Sequence, residues 1–289
     1  MSSTLRLRPM PVPPPTTIGP VTFRWGERTF VMGILNVTPD SFAGDGLLVD
    51  RVDAQERAVL QARSMVAEGA DLLDIGGEST RPGHDPVSAD DERARVIPVI
   101  VAVRAALPGI PISIDTSKPE VAAAAIDAGA DLINDVWGTG PDDTMAAVAA
   151  GHRVPLVVMH DRSEARYTDV AAEVIADLRA AIERAVAAGV PAGDIIIDPG
   201  IGFGKTADHN VALLADLAAL RDLGHPILLG TSRKSTIGRI LGLPVEERLE
   251  GTLATTALGV AAGVDIVRVH DVAPNLRAAR MADAIVRRA

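Results

Sequence analysis

Asp115, Asp198 and Asn134 each stand at the end of a short run rich in Val, Ile and Leu. A carboxylate desolvated by such a run must be paired or must bind something that donates hydrogen bonds. Two carboxylates and one amide turned into a common pocket suit a flat, donor-rich heterocycle, because a carboxylate accepts two parallel N–H bonds from a guanidine-like edge. The plainer roles are a salt bridge to a nearby lysine for either aspartate and a structural cap for Asn134. A second set is basic: Lys205, Arg233, Lys234, Arg268 and His270, accompanied by Ser232 and Ser235. The stretch TSRKS (231–235) opens a helix whose free N–H groups favour anions. The chain's three lysines, Lys118, Lys205 and Lys234, all follow apolar runs, although Lys118 precedes Pro119 and reads as a helix opener. The expected pocket therefore takes a neutral, donor-rich group at its floor and an anion at its rim.

Such a pocket needs elements that bring distant run-ends together. Eight apolar segments read as strands, at 29–36, 71–76, 110–115, 131–136, 155–160, 194–198, 226–230 and 265–269. Their near-continuous apolar character fits parallel strands covered on both faces. Ala-rich segments with helical spacing lie between them, including 53–67, 90–106, 119–128, 171–188, 207–220, 246–262 and 274–288. One turn recurs as AEGAD (67–71), DAGAD (127–131) and AAGVD (261–265), with glycine where a left-handed helix cap is wanted. This repetition of β–α units with right-handed crossovers predicts a (β/α)8 TIM barrel. A doubly wound open sheet is the alternative, but NVTPDSF (36–42) lacks the Gly-rich dinucleotide turn expected after its first strand. In a barrel the loops at the C-terminal mouth carry the chemistry. VTFRWGERTF (21–30) reads as a short N-terminal β-hairpin turning at Gly26-Glu27. Residues 1–20 are rich in proline and are expected to form a disordered arm, with 21–289 as one domain.

Composition limits the remaining possibilities. Of 289 residues, 47% are hydrophobic and 23% charged, which suits a large globular core and excludes a disordered chain or coiled coil. No apolar stretch approaches the roughly 20 residues that span a bilayer. The start of the chain shows no secretory leader, and a cytoplasmic location without a membrane partner is expected. The absence of cysteine removes disulfides, thiolate metal sites and cysteine nucleophiles. A formal charge of −10 disfavours a nucleic-acid partner. Among barrel chemistries, hydrolases with a histidine pair on the first strand are disfavoured by Asn36-Val37-Thr38. Retaining glycosidases are disfavoured by Asn134 and Thr231 where their facing acids would stand. Lys234 lies past its strand end, unlike a Schiff-base lysine.

Taken together, the segments GILNVTPDSF (33–42), GADLLDIGGESTRPG (69–83), SIDTSKPEVA (113–122), AGADLINDVWG (128–138), LVVMH (156–160), IIIDPGIGFGK (195–205), LLGTSRKS (228–235) and RLEGTLATTALGVAAGVDIVRVHDV (248–272) resemble the dihydropteroate synthase family. The resemblance implies condensation of 6-hydroxymethyl-7,8-dihydropterin diphosphate with 4-aminobenzoate by a dissociative substitution. It implies that Asp115, Asn134, Met159, Asp198 and Lys234 hold the pterin. Asn36, Arg268 and His270 hold the diphosphate, with Mg2+ bridging to Asn36. Thr80, Arg81, Pro82, Phe203, Lys234 and Ser235 surround the aminobenzoate. Two loops, 38–46 and 79–85, are implied to close over the site. The first departs from the family's usual SFSDGG: here Ser41-Phe42-Ala43-Gly44-Asp45-Gly46 places the carboxylate one residue later, and Asp45 is expected to affect turnover more than pterin binding. The family implies a homodimer and competition by sulfonamides for the aminobenzoate site. A catalytically silent paralogue and a pterin-binding methyltransferase domain are the other readings.

Overall fold

The structure is a computed structural model that describes residues 12–37, 51–78, 87–138 and 143–287. Its elements in order are β1 (Thr16–Ile18), β2 (Val21–Phe23), β3 (Phe30–Asn36), α1 (Arg51–Glu68), β4 (Leu72–Gly76), α2 (Ala89–Ala106), β5 (Ile112–Asp115), α3 (Pro119–Asp127), β6 (Leu132–Asp135), α4 (Thr144–His152), β7 (Leu156–Met159), α5 (Val170–Ala187), β8 (Ile195–Asp198), α6 (Ala207–Ala215), β9 (Leu228–Leu229), α7 (Ser235–Leu241), α8 (Leu249–Ala262), β10 (Ile266–Val269) and α9 (Val272–Val286). The strands β3 to β10 form one parallel sheet in the order β8-β7-β6-β5-β4-β3-β10-β9. A bridge between Ile197 and Ile227 joins its two ends and closes the TIM barrel. The repeated αβ turn behaves as its composition predicts: Gly69, Gly129 and Gly263 have φ of 101°, 111° and 98°.

The hairpin lies one segment earlier than the sequence suggests. It pairs Thr16 with Phe23 and Ile18 with Val21, and Gly19 (φ 54°) makes the turn. Ile18 is fully buried, so part of the segment read as an arm is packed structure. The hairpin plugs the bottom of the barrel. Phe23 stacks on Trp25 with ring centroids 5.6 Å apart and meets Phe30 edge-on at 4.8 Å. Ile18, Phe23 and Trp25 pack with Phe30, Met32, Leu72, Leu132, Val157, Ile196, Leu228 and Ile266 from the strands. Full burial of such side chains stabilises by about 1.5–3 kcal/mol each.

Strand side chains alternate between faces, so the residue two beyond each plug residue also points into the barrel. That places Asp74 above Leu72, Asn134 above Leu132, Met159 above Val157, Asp198 above Ile196, Gly230 above Leu228 and Arg268 above Ile266. The barrel interior is thus apolar below and polar toward the mouth.

Several helical boundaries also differ from the reading. The segment 207–220 is α6 followed by a 3-10 turn (Leu217–Leu223), and α4, absent from the predicted helices, occupies part of the stretch after β6. The stretch 246–262 contains a 3-10 turn (Val245–Glu247) before α8.

Candidate active site

At the mouth, β4, β5, β6 and β10 build one hydrogen-bonded cluster. The Arg268 guanidinium donates through Nε to Asp74 Oδ2 at 2.5 Å and through a terminal nitrogen to Asp115 Oδ2. Asn134 donates its Nδ2 to the same Asp74 oxygen at 3.2 Å. The strands set these contacts: Asp115 is the register partner of Asn134 on one side and of Gly76 on the other. A methyl added at position 76 would come into van der Waals contact with Asp115, 3.4 Å from its Cβ. Asp74, Asp115, Asn134 and Asp198 are all buried. Asp74 Oδ1, Asp115 Oδ1 and Asn134 Oδ1, however, have no hydrogen-bond partner. Buried acceptors of that kind are costly unless something donates to them.

Across the barrel, Asp198 Oδ1 accepts from the Gly200 N–H at 2.7 Å. Lys234 donates to the Ile201 carbonyl, and its Nζ lies 4.6 Å from the centroid of the Phe203 ring. Gly230 leaves room where these groups meet: a Cβ there would stand 3.8 Å from Asp198 Oδ2, 3.8 Å from Lys234 Nζ and 3.9 Å from Arg268 Cδ. Met159 is buried beside Asp198, its register partner. Burial pushes the Asp115 carboxyl up to about 7, against the pull of Arg268, and the Asp74 charge adds to the rise. Burial also pushes Asp198 up against the pull of Lys234. Lys234 is lowered by burial to about 8, with Asp198 opposing the fall.

The structure brings Asp115, Asn134, Met159, Asp198, Lys234 and Arg268 together. Asn36 ends β3 on the interior face, in register with Gly76. His270 follows β10, and its Nδ1 lies 2.9 Å from Ser232 Oγ. Ser235 is the exposed first residue of α7, behind Lys234 as N-cap. Asp45, Thr80, Arg81 and Pro82, and the loops 38–46 and 79–85, lie outside the described residues.

Three expectations about the cations are corrected. Lys205 is not on the anion rim: its ammonium is turned into its own loop, onto the carbonyls of Gly200 and Phe203, both at 3.0 Å. Arg233 is held by Asp271 at 2.6 and 3.0 Å. Arg268 belongs to the floor as much as to the rim, because two carboxylates hold it inward. Lys118 does cap α3, as read, but it also pairs with Glu78 and, at 2.6 Å, with the fully buried Glu92. Glu78 Oε1 in turn accepts from the Val87 N–H at 2.9 Å. Asp74 was missed by the sequence reading. Its signal is a lone acid in the middle of an apolar strand, two residues from the interior-facing Gly76.

Among the described residues no group of three or more His, Asp or Glu is arranged to chelate a metal, and no helix is long and apolar enough to cross a membrane.

Residues 32–270 match the family described as pterin binding enzyme. The dihydropteroate synthase of Clostridium beijerinckii is 52% identical over 272 residues, covering 94% of this chain and 99% of that protein. The dihydropteroate synthase of Clostridium difficile, solved in the presence of pteroic acid, superposes with a TM-score of 0.87 at 49% identity, covering 92% of this chain and 100% of the other. The Xanthomonas albilineans enzyme, solved with 4-aminobenzoic acid, superposes with a TM-score of 0.86 at 43% identity, covering 94% and 98% of the two chains. The chain belongs to the pterin-binding enzymes, and within them to the dihydropteroate synthase family.

Proposed function

We propose that the barrel mouth condenses 6-hydroxymethyl-7,8-dihydropterin diphosphate with 4-aminobenzoate, releasing diphosphate and 7,8-dihydropteroate. The observation that carries the residue assignments is the set of unpartnered buried acceptors, Asp74 Oδ1, Asp115 Oδ1 and Asn134 Oδ1, on a floor that also holds Asp198. A pterin edge rich in N–H groups satisfies them. Asp198 takes two parallel donors, Lys234 donates to the ring carbonyl, and Met159 forms an apolar wall.

The diphosphate projects toward Asn36, Arg268 and His270. Mg2+ suits that position: it keeps a largely oxygen and water shell and needs only one or two protein ligands beside substrate phosphates. The amide oxygen of Asn36 is a donor of the right kind. When bound, Mg2+ neutralises charge on the leaving group. Arg268 and His270 add donors to the departing diphosphate, while the floor carboxylates stabilise the positive charge left on the pterin methyl carbon. The substitution needs no protein nucleophile, and the amine of 4-aminobenzoate attacks the cation directly. Phe203, Lys234 and Ser235, with Thr80, Arg81 and Pro82, orient that amine, and the side chain of Asp45 assists turnover. Sulfonamides compete at the same place.

A cytoplasmic location and a homodimer belong to the same reading. The exposed apolar side chains Leu258 (68%) on α8 and Met281 (64%) on α9 support the dimer, since these two helices pack together and leave them uncovered. The test is diphosphate release by the purified protein. Release that depends on both 4-aminobenzoate and Mg2+, forms dihydropteroate and collapses in Asp198→Asn supports the reading. Methyl transfer, or pterin binding without release, overturns it.

A further inference from the structure

We infer that Lys205 is a positioning residue for the second substrate: with His160 and Asp177 it forms a strut that shapes residues 200–203 and so sets the Phe203 ring against Lys234. The inference rests on the placement of 4-aminobenzoate beside Phe203 in the reading above.

The three N–H bonds of the Lys205 ammonium meet three acceptors: Gly200 O at 3.0 Å, Phe203 O at 3.0 Å and His160 Nδ1 at 2.8 Å. For Nδ1 to accept, the imidazole must be neutral with its proton on Nε2. Nε2 lies 3.0 Å from Asp177 Oδ2, which takes that proton as a hydrogen bond. His160 is fully buried, and burial together with the nearby Lys205 charge keeps it well below neutrality, at about 4. Asp177 is itself fixed by Arg162 Nε at 2.8 Å, and Arg162 reaches Glu173 at 2.7 Å. The strut is therefore anchored in α5, outside the barrel, and ends inside the loop after β8.

What it braces is the part of the loop that faces substrate. Gly200 donates to Asp198, Ile201 accepts from Lys234, and Gly202 donates to Asn210 Oδ1 at 2.9 Å. The bend admits no side chain at position 200: φ is 66°, and a Cβ would lie 1.8 Å from the His160 carbonyl oxygen. The Asp198 backbone is held independently of Lys205, because its carbonyl accepts from the His160 N–H at 2.9 Å within the β7–β8 frame, and only its Oδ1 contact to the Gly200 N–H draws on the braced segment. Loss of the strut should therefore displace Phe203 more than the pterin floor. A lysine that merely stabilised the loop would weaken both substrates alike.

Steady-state kinetics on the full chain separate the two. Lys205→Met should raise KM for 4-aminobenzoate about tenfold, while KM for the dihydropterin diphosphate stays within about twofold, since ångström-scale misplacement is felt mainly by the group it orients. His160→Ala should reproduce that split. His160→Asn, whose amide oxygen replaces Nδ1 as acceptor, should restore the aminobenzoate KM to within about threefold of wild type. If Lys205→Met does not fold, Lys205→Gln, which keeps two donors, stands between it and wild type on the same measurements. Equal effects on both substrates, no effect on either, or His160→Asn as impaired as His160→Ala overturns the strut. A wild-type protein that makes no dihydropteroate counts against the functional reading instead.

Discussion

Asp74→Asn isolates the charge that holds Arg268 inward. In the wild type, Asp74 Oδ2 accepts from Arg268 Nε at 2.5 Å and from Asn134 Nδ2 at 3.2 Å, inside a fully buried environment. Asparagine keeps the shape and one acceptor but removes the negative charge. A hydrogen bond to a charged partner contributes about 1.5–3 kcal/mol and a neutral one about 1, so the substitution costs about 1–2 kcal/mol of orientation for Arg268 and Asn134. If both must be in place when the pterin binds and the diphosphate departs, kcat/KM for the dihydropterin diphosphate falls about 5- to 30-fold at pH 8. A second readout has a definite sign. Burial, aided by the Asp74 charge, raises Asp115 to about 7, so the ionised acceptor forms only as pH rises through that value. Removing the Asp74 charge leaves Arg268 to Asp115 alone, and the acid limb of the kcat/KM profile moves to lower pH. Initial rates of diphosphate release from pH 5 to 9 measure both. An unchanged kcat/KM with an unmoved acid limb would refute the view that Asp74 organises this floor.

Lys234, held at about 8 by burial, should give the same profile an alkaline limb, with activity falling as its ammonium loses a proton and the limb absent in Lys234→Met. Because that lysine binds fewer protons folded than unfolded between about 8 and its ordinary value near 10.4, its contribution to stability grows as pH rises through that window, which urea midpoints at pH 8 and 10 will report. Gly200→Ala should abolish folding or activity outright, since a methyl 1.8 Å from a carbonyl oxygen at a positive φ has no place to move; a melting temperature within a few degrees of wild type would be the contrary result. Lys118→Met leaves Glu92 buried beside Glu78 without its cation and should destabilise by about 3–5 kcal/mol, read from urea unfolding, with partial recovery when Glu92→Leu is added.

The barrel and much of its polar mouth were legible because of a simple regularity. Parallel strands buried on both faces read as apolar runs, and a polar residue breaking such a run near its C-terminal end faces either the barrel or a loop. Asp115, Asn134, Asp198 and Arg268 all obey it. Asp74 obeys the same alternation but sits before Ile75 and two glycines, so it reads as part of the strand rather than as its end. The hairpin was misplaced because Gly26 carries a turn signal as strong as Gly19, and only packing against the plug residues chooses between them.

Charge availability was the illegible quantity. A sequence places each cation after a given strand, but whether the cation is free depends on partners far along the chain. Arg268 is neutralised by Asp74, 194 residues away, and Lys118 by Glu78, 40 residues away. Of the five cationic positions expected at the rim, Lys205 is taken up by its own loop, Arg233 by Asp271, and Arg268 by two floor carboxylates. The resting lip is therefore less positive than its composition implies. In the proposed reading Asp74 and Asp115 hold the Arg268 guanidinium where the diphosphate would meet it, so one arginine borders both the floor and the leaving group. On that reading, loosening Arg268 from the floor disturbs pterin binding and diphosphate capture together, which is the combined loss that Asp74→Asn is expected to show.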